Sequence, residues 1–302
     1  MLENRNVMKK VVTELFNKYQ VSPVDDYTAQ LYKCLSDASY STEKDKTIVI
    51  LSPGVFNSAY FEHAYLAQQM GIHLVESSDL ILSKDNYVYM KTISGRKKVD
   101  VIYRRINDNY LDPDVWVKDS VLGLPGLINS WKEKKIAIVN APGSGVADDK
   151  AVYAFVPKMI EFFLKEKPKL SQVKTYLCAF KKDKKYVLDN IERLVLKPVN
   201  ESGGYGILIG PTASKKELNE YKLKIINNPR NFVAQPLIRL STSPTIIKSS
   251  IQPRHIDLRP FILSSKKTFI TNGGLTRVAL KKGSTIVNSS QGGGSKDTWV
   301  VN

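Results

Sequence analysis

The chain has 302 residues, 42% of them hydrophobic and 25% charged, a globular composition long enough for one large or two medium domains, which excludes disorder as the main character. Apolar runs such as 47–51 and 136–139 fall far short of the roughly 20 residues that cross a bilayer, and Met1–Lys10 is polar rather than signal-like. The net charge of +16 is uneven, because residues 1–148 hold 18 basic and 18 acidic side chains whereas residues 149–302 hold 27 and 11.

In chain order, Val11, Val12, Leu15, Phe16 and Tyr19, then Tyr27, Leu31 and Leu35, follow helical periodicity on either side of Ser22-Pro23, which predicts two helices. Thr47-Ile-Val-Ile-Leu51 reads as a buried strand ended by Ser52-Pro-Gly54. A helical pattern from Ser58 to Met70 closed by Gly71 and the run Ile72–Val75 complete a βαβ unit. Further strands are predicted at 80–82, 87–91, 99–103 and 136–139, with a helix over about 127–134, giving an α/β layer of Rossmann-like type. After Asn140-Ala-Pro-Gly-Ser-Gly145 one helix is predicted over 149–165, and then a β-rich, α+β remainder. That remainder has strands at 193–198, 207–209, 232–237, 258–263, 268–271, 276–280 and 284–288 and a helix over 215–226. The domain reading is a helical segment 1–46, a Rossmann-like domain 47–145 and a third region 146–302.

Two cysteines, Cys34 and Cys178, and three histidines make neither a disulfide framework nor a Cys/His zinc site, which fits a reducing cytoplasm. Of the 45 basic residues 35 are lysines, many in pairs such as Lys181-Lys182 and Lys215-Lys216. They serve either as a solvated surface or as the counterpart of a polyanion, nucleic acid or nucleoside triphosphate. Lys197 ends a predicted strand and is followed by the glycine-rich loop Asn200-Glu-Ser-Gly-Gly-Tyr-Gly206, whose backbone N–H groups can approach phosphate oxygens closely. The loop lacks the P-loop ending and does not run from strand into helix, so a plain glycine hairpin stands beside the phosphate reading. Asp257 and Arg259, two apart in a strand, share a face; Arg277 belongs to the next hairpin. Such guanidinium groups either clamp a phosphoryl group or pair with carboxylates.

Taken together, Lys197-Pro, Ser202-Gly-Gly-Tyr-Gly206, Val233-Ala-Gln-Pro236, Asp257-Leu-Arg259, Arg277 and Asn288 follow the order of the ATP-grasp fold. Longer strings resemble the circularly permuted ATP-grasp type 2 family: Asn57-Ser-Ala-Tyr-Phe-Glu-His63, Val101-Ile-Tyr-Arg-Arg105, Ala147-Asp-Asp-Lys-Ala-Val-Tyr153, Pro253–Phe261, Gly273–Ala279 and Asn288–Trp299. The resemblance implies a Rossmann-like pre-ATP-grasp domain followed by a permuted ATP-grasp domain, with a lid subdomain at about 185–240. It also implies a ligase that uses ATP and Mg²⁺ to join a carboxylate to an amine through an acyl phosphate. Carried over, Lys197 holds ATP phosphates, and Ser202, Gly203, Gly204 and Gly206 form the lid. Gln235 lies at the adenine hinge, Arg259 and Arg277 neutralise the transferring phosphoryl, and Asn288 and Asp257 assist nucleotide and metal. On the substrate side the candidates are Asn57, Glu62, Arg104 and Arg105, with a structural loop and ordinary surface pairs as the other reading.

In the family a Glu-Asp-Asn metal motif lies upstream of a Met-Leu-Glu-Asn-Arg string, and here that string is Met1–Arg5. The resemblance therefore implies a fragment or split half whose main metal carboxylates come from elsewhere, with a partner chain carrying the upstream segment. The alternatives are a nucleotide-binding module without chemistry and, last, a basic nucleic-acid-binding protein; the basic residues lack the aromatic interleaving that stacks bases.

Overall fold

In the computed structural model, which describes residues 1–201, 205–285, 287 and 292–301, the chain forms two compact units. One holds residues 1–145, 260–274 and 297–302, the other 146–259 and 275–296. This division differs from the three consecutive regions read from the sequence: residues 1–46 group with 47–145, and two later segments return to them. Contacts over long sequence separations make the grouping, such as Leu31, Leu35 and Leu263 packed on the sheet and the Arg5–Asp297 pair, and local patterns do not carry them.

The first unit begins with α1 (Leu2–Val11), α2 (Thr13–Tyr19) and α3 (Tyr27–Asp37). Three helices stand where two were predicted, because Val12 at φ −131° and ψ 45° leaves helical geometry. There follow β1 (Ile48–Leu51), α4 (Tyr60–Met70), β2 (His73–Val75), β3 (Leu80–Leu82), β4 (Val88–Thr92), β5 (Gly95–Lys98), β6 (Val101–Arg104), α5 (Leu127–Lys132) and β7 (Ala137–Val139). Four of these strands form a parallel sheet in the order β2-β1-β6-β7. All four residues of β1 are buried, and successive side chains go to opposite faces. Val49, Leu51, Ile102 and Ile138 pack with Leu127 and Ile128 of α5. Ile48, Ile50, Val101 and Ala137 pack with Leu31 and Leu35 of α3 and with Leu66 and Ala67 of α4. Both faces are thus covered, as a parallel sheet requires. Gly71 closes α4 in the left-handed region at φ +65°. The strands β3, β4 and β5 make a separate antiparallel sheet. β5, wholly exposed, has no apolar alternation by which a sequence could announce it.

The second unit opens with α6 (Lys150–Tyr153) and α7 (Val156–Met159), followed by a π-helical turn at Ile160–Leu164. The single helix predicted over 149–165 is therefore broken: Pro157 lacks an N–H and serves in the first turn of a new helix. Next come β8 (Tyr176–Leu177), α8 (Lys181–Asp189), β9 (Leu194–Pro198), β10 (Leu208–Ile209), α9 (Lys215–Asn227) and β11 (Phe232–Pro236). Antiparallel pairing gives the order β10-β9-β11-β8. Leu196, Val187, Ile191, Ile225 and Ala234 form the core over this sheet. Ser214 and Glu217 start α9 with a reciprocal capping box.

The last strands are β12 (Thr242–Ile247), β13 (Ser250–Ser264), β14 (Thr268–Val278) and β15 (Gly294–Trp299), in that order within one sheet. The separate strands predicted at 268–271 and 276–280 are largely one, β14, which runs straight through Gly273-Gly274. Glycine is needed there for close approach rather than for a turn, since a Cβ on Gly273 would lie 2.7 Å from Val24 Cγ1 and 3.0 Å from an Arg5 guanidinium nitrogen. Ser284, Thr285 and Val287, in the strand predicted over 284–288, are not in a strand; Ile286 and Asn288 lie outside the described residues. No helix among the described residues is long and apolar enough to cross a membrane.

Candidate functional site

A cavity of about 420 Å³ opens in the second unit between the start of α6 and strands β9 and β11, lined among others by Asp148, Lys150, Tyr153, Lys197 and Gln235. Strand β9 carries Lys197, held opposite Val233 by the antiparallel register with β11. Its ammonium donates to Gln235 Oε1 at 2.8 Å, and Gln235 Nε2 in turn donates to Thr175 Oγ1 at 2.8 Å, which fixes the amide's orientation. Lys150, in the first turn of α6, reaches the same cavity and donates to the Glu201 carbonyl, so the glycine-rich segment is tethered at its start. Burial, and then the neighbouring Lys150 charge, push the Lys197 ammonium below its ordinary value. Two lysines thus face one cavity with amide and backbone oxygens as their partners, an arrangement that an anion relieves. Of the two acids lining the cavity, Asp149 is committed elsewhere: it caps α6 through Ala151 N at 2.7 Å and binds Arg230 at 2.8 Å. Burial pushes this carboxyl up, but the Arg230 and Ala151 hydrogen bonds outweigh it and hold the group below the usual carboxylate range.

The sequence-derived candidates are only partly assembled here. Lys197 and Gln235 meet directly, while Lys150 carried no role in the sequence reading although it lies inside the quoted string Ala147–Tyr153. Its signal was a lysine at the first position of a capped helix, directly after the Asp149 cap, indistinguishable in sequence from a solvated one. Gly206 sits at φ +67°, its carbonyl accepting from Tyr221 Oη at 2.6 Å. Ser202, Gly203, Gly204 and Asn288 lie outside the described residues. On β13, Arg259 is paired with Asp257 at 2.8 Å, and a second nitrogen is 3.2 Å from both carboxylate oxygens. Half-buried Arg277 is on β14. Asp257, Arg259 and Arg277 are not among the residues lining the cavity. The lysine pair fits the phosphate end of a nucleotide. Magnesium does not fit the described residues in the same way: both Asp257 oxygens face Arg259, and among the described residues no three Asp, Glu, His or Cys side chains converge.

In the first unit the remaining candidates stand around the carboxyl ends of β1 and β6. Arg104 is a structural clip, with its guanidinium 2.7 Å from the Asn140 carbonyl, 2.7 Å from the Ile106 carbonyl and 2.7 Å from Asp108. Asn57 accepts from Ala59 N at 2.9 Å and so shapes the entry to α4. Glu62, in the first turn of α4, binds Arg105, whose other terminal nitrogen donates to Tyr103 Oη at 3.1 Å. Beneath them the buried pair Ser52 Oγ and His63 Nδ1 lie 2.9 Å apart, and Gly54 N donates to the same hydroxyl at 3.2 Å, which fixes the Ser52-Pro-Gly54 turn. Burial, reinforced by Arg105, pushes the His63 imidazole down, although Glu62 opposes this.

The profile of the family described as circularly permuted ATP-grasp type 2 matches residues 1–279. A Synechocystis sp. protein described as uncharacterized is 50% identical over all 302 residues, and the chain spans 63% of its length. A Frankia casuarinae protein that carries a provisional glutamate–cysteine ligase name is 40% identical over 300 residues, or 99% of this chain but only 35% of that protein. Among solved structures, the ATP-grasp ligase PsnB in complex with a minimal precursor aligns over 85% of this chain and 89% of its own, at 10% identity and a TM-score of 0.41, a likeness at which no residue role is carried across.

Proposed function

Because the chain belongs to the circularly permuted ATP-grasp type 2 family, we propose that its second unit binds ATP with the phosphates at Lys197 and Lys150, on the nucleotide side of a carboxylate–amine ligase. In that reaction a substrate carboxylate oxygen attacks the γ-phosphorus and releases ADP. The amine nitrogen then attacks the acyl carbon, the C–O bond to phosphate breaks, and the amine's surplus proton leaves to a base. The observation that carries the reading is the lysine pair at one cavity, with Lys197 partly desolvated and no carboxylate paired to either ammonium among the described residues.

Each residue has a defined task. Lys150 and Lys197 bind and orient the phosphates as point charges, and Gln235, fixed by Thr175, keeps the Lys197 ammonium turned into the cavity. Gly206 ends the glycine-rich segment; Ser202, Gly203, Gly204 and Asn288, which the family resemblance assigns to the nucleotide, lie outside the described residues. On the family resemblance Arg259 and Arg277, which do not line the cavity, are assigned to the charge of the transferring phosphoryl. Magnesium chemistry belongs to the family's reaction, and the described residues do not fit the metal. The chain spans 63% of the length of the Synechocystis relative.

Calorimetry with ATP tests this. Lys197→Ala should weaken binding by about 1.5–3 kcal/mol, the scale of one charged hydrogen bond, and Lys150→Ala by a similar amount. ATP affinity unchanged in both variants would remove the phosphate role.

A further inference from the structure

Lys197 stands apart from the other lysines of the chain. Lys181 and Lys182 on α8 and Lys215 and Lys216 on α9 are exposed and solvated. Lys135 and Lys174 are held protonated by hydrogen bonds, the one to Glu133 and the other to Tyr176. Lys197, near the end of β9, is half-buried, and burial, followed by the Lys150 charge, works against its ammonium. Taking a lysine out of water and setting it beside a second cation are recurrent ways of making an amine nucleophilic near neutral pH.

The cavity of about 420 Å³ places this nitrogen for reaction. Gln235 Oε1 takes one of its N–H groups at 2.8 Å and is itself turned by Thr175, which fixes the nitrogen at the cavity wall. Lys150 lines the same cavity and donates to the Glu201 carbonyl, a neutral partner that leaves its charge to be met by an anion. Of the other titratable groups there, Asp149 is taken by the α6 cap and Arg230, Asp148 is exposed, and the Tyr153 hydroxyl accepts from Val173 N at 3.3 Å. A phosphate seated on Lys150 brings whatever it carries up to the Lys197 nitrogen, so that a chance encounter becomes a reaction within one site.

We infer that Lys197 is a modification site for small acyl phosphates, with Lys150 seating the phosphate and the Lys197 nitrogen taking the acyl group. The amine nitrogen attacks the acyl carbon, the bond from that carbon to the bridging oxygen breaks, inorganic phosphate leaves with the electron pair, and the surplus proton on nitrogen goes to water. The amide that forms carries no charge, so acylation removes a phosphate partner and closes the cavity to nucleotides. That regulatory effect rests on the nucleotide reading of the cavity, whereas the acylation rests on the cavity and its two lysines.

The test treats the 302-residue chain with acetyl phosphate and, separately, with acetic anhydride, an acyl donor without phosphate, and follows acetylation of each lysine by mass spectrometry. Acetyl phosphate should modify Lys197 at least tenfold faster than the exposed lysines of α8 and α9, and inorganic phosphate and ATP should each protect Lys197 selectively. In Lys150→Ala the ratio of the acetyl phosphate rate to the anhydride rate at Lys197 should fall at least tenfold, which separates seating of the phosphate from reactivity of the amine. Lys197 modified no faster than the exposed lysines overturns the inference, as does a preference equal for both donors and unmoved in Lys150→Ala. Calorimetry with ATP on the same chain judges the nucleotide reading separately. Protection by inorganic phosphate without protection by ATP upholds the acylation and overturns the nucleotide reading.

Discussion

Arg5 is fully buried, and its loss should be the costliest single change in the first unit. Its Nε lies 2.7 Å from Asp297 Oδ2, whose side chain is 1% exposed, while its terminal nitrogens donate to the carbonyls of Ser22 at 2.7 Å and Thr298 at 2.9 Å. The guanidinium also lies 5.7 Å from the centre of the Phe16 ring. Arg5→Ala leaves the Asp297 carboxylate buried with the Trp299 indole N–H, at 2.8 Å, as its donor, and takes the Arg5 donors from two backbone carbonyls. Breaking a buried pair in this way costs about 3–5 kcal/mol, a large part of the roughly 5–15 kcal/mol by which a domain is stable. Urea unfolding followed by tryptophan fluorescence measures it, with Trp299 as a local reporter. Arg5→Met combined with Asp297→Leu should recover much of the loss, since no unpaired charge remains, and the two single changes should be strongly non-additive. A cost below about 1 kcal/mol for Arg5→Ala, or additive singles, would refute the view that this pair ties α1 to β15 and the Val24–Gly273 contact.

ATP affinity should be pH-dependent on the alkaline side. The folded Lys197 ammonium titrates below its ordinary 10.5, so binding holds at lower pH and falls as pH rises through that lowered value, and calorimetry on Lys197→Gln should lose this fall. In the free protein the sign is opposite: between the lowered value and 10.5 the unfolded chain holds more protons, so stability rises with pH there. Gly210→Ala should destabilise the second unit by at least about 2 kcal/mol as an overpacking change, because a Cβ there would lie 2.1 Å from the Ile191 carbonyl oxygen. Gly71→Ala, at φ +65° with nothing within 4 Å of the added Cβ, should cost only about 1 kcal/mol, the strain of the left-handed cap. Chemical unfolding of the two variants distinguishes steric clash from backbone strain.

Local pattern carried the parallel sheet well, because β1 is a continuous β-branched run and α4 ends on a glycine that its geometry requires. It carried the last sheet poorly. β13 is a 15-residue strand in which exposed and half-buried positions do not alternate strictly, and it contains Pro253 and Pro260, so sequence showed only its 258–263 stretch. The sequence pattern places Gly273-Gly274 between two separate strands, whereas the strand runs through them and the pressure for glycine at 273 comes from Val24 and Arg5, distant in sequence. The same limit applies to the site. Strand spacing correctly put Asp257 and Arg259 on one face, and the structure joins them as an ion pair. That Lys197 answers to Gln235 and shares its cavity with Lys150 depends on a β9–β11 register and on the placement of α6, neither of which any local window contains.

The charge asymmetry can be divided by its physics. The second unit carries 25 basic and 11 acidic residues, the first 20 and 18. Most of that excess is displayed to solvent: Lys181, Lys182 and Lys185 on α8 and Lys215, Lys216 and Lys224 on α9 are exposed, where water solvates each ammonium and salt screens it within about 8–10 Å. Such charges raise the local concentration of any polyanion, nucleotide or nucleic acid alike, and so affect encounter more than choice. Choice needs a charge that has lost its water. Lys197 meets that condition, because burial already disfavours its ammonium and Lys150 disfavours it further. A polyphosphate that enters the cavity restores what both groups lack, whereas a nucleic-acid backbone held on the α8 and α9 surface would leave that strain unrelieved. On the proposed reading the exposed lysines account for attraction and the half-buried pair for selectivity, and only the second would distinguish a nucleotide site from a merely basic protein.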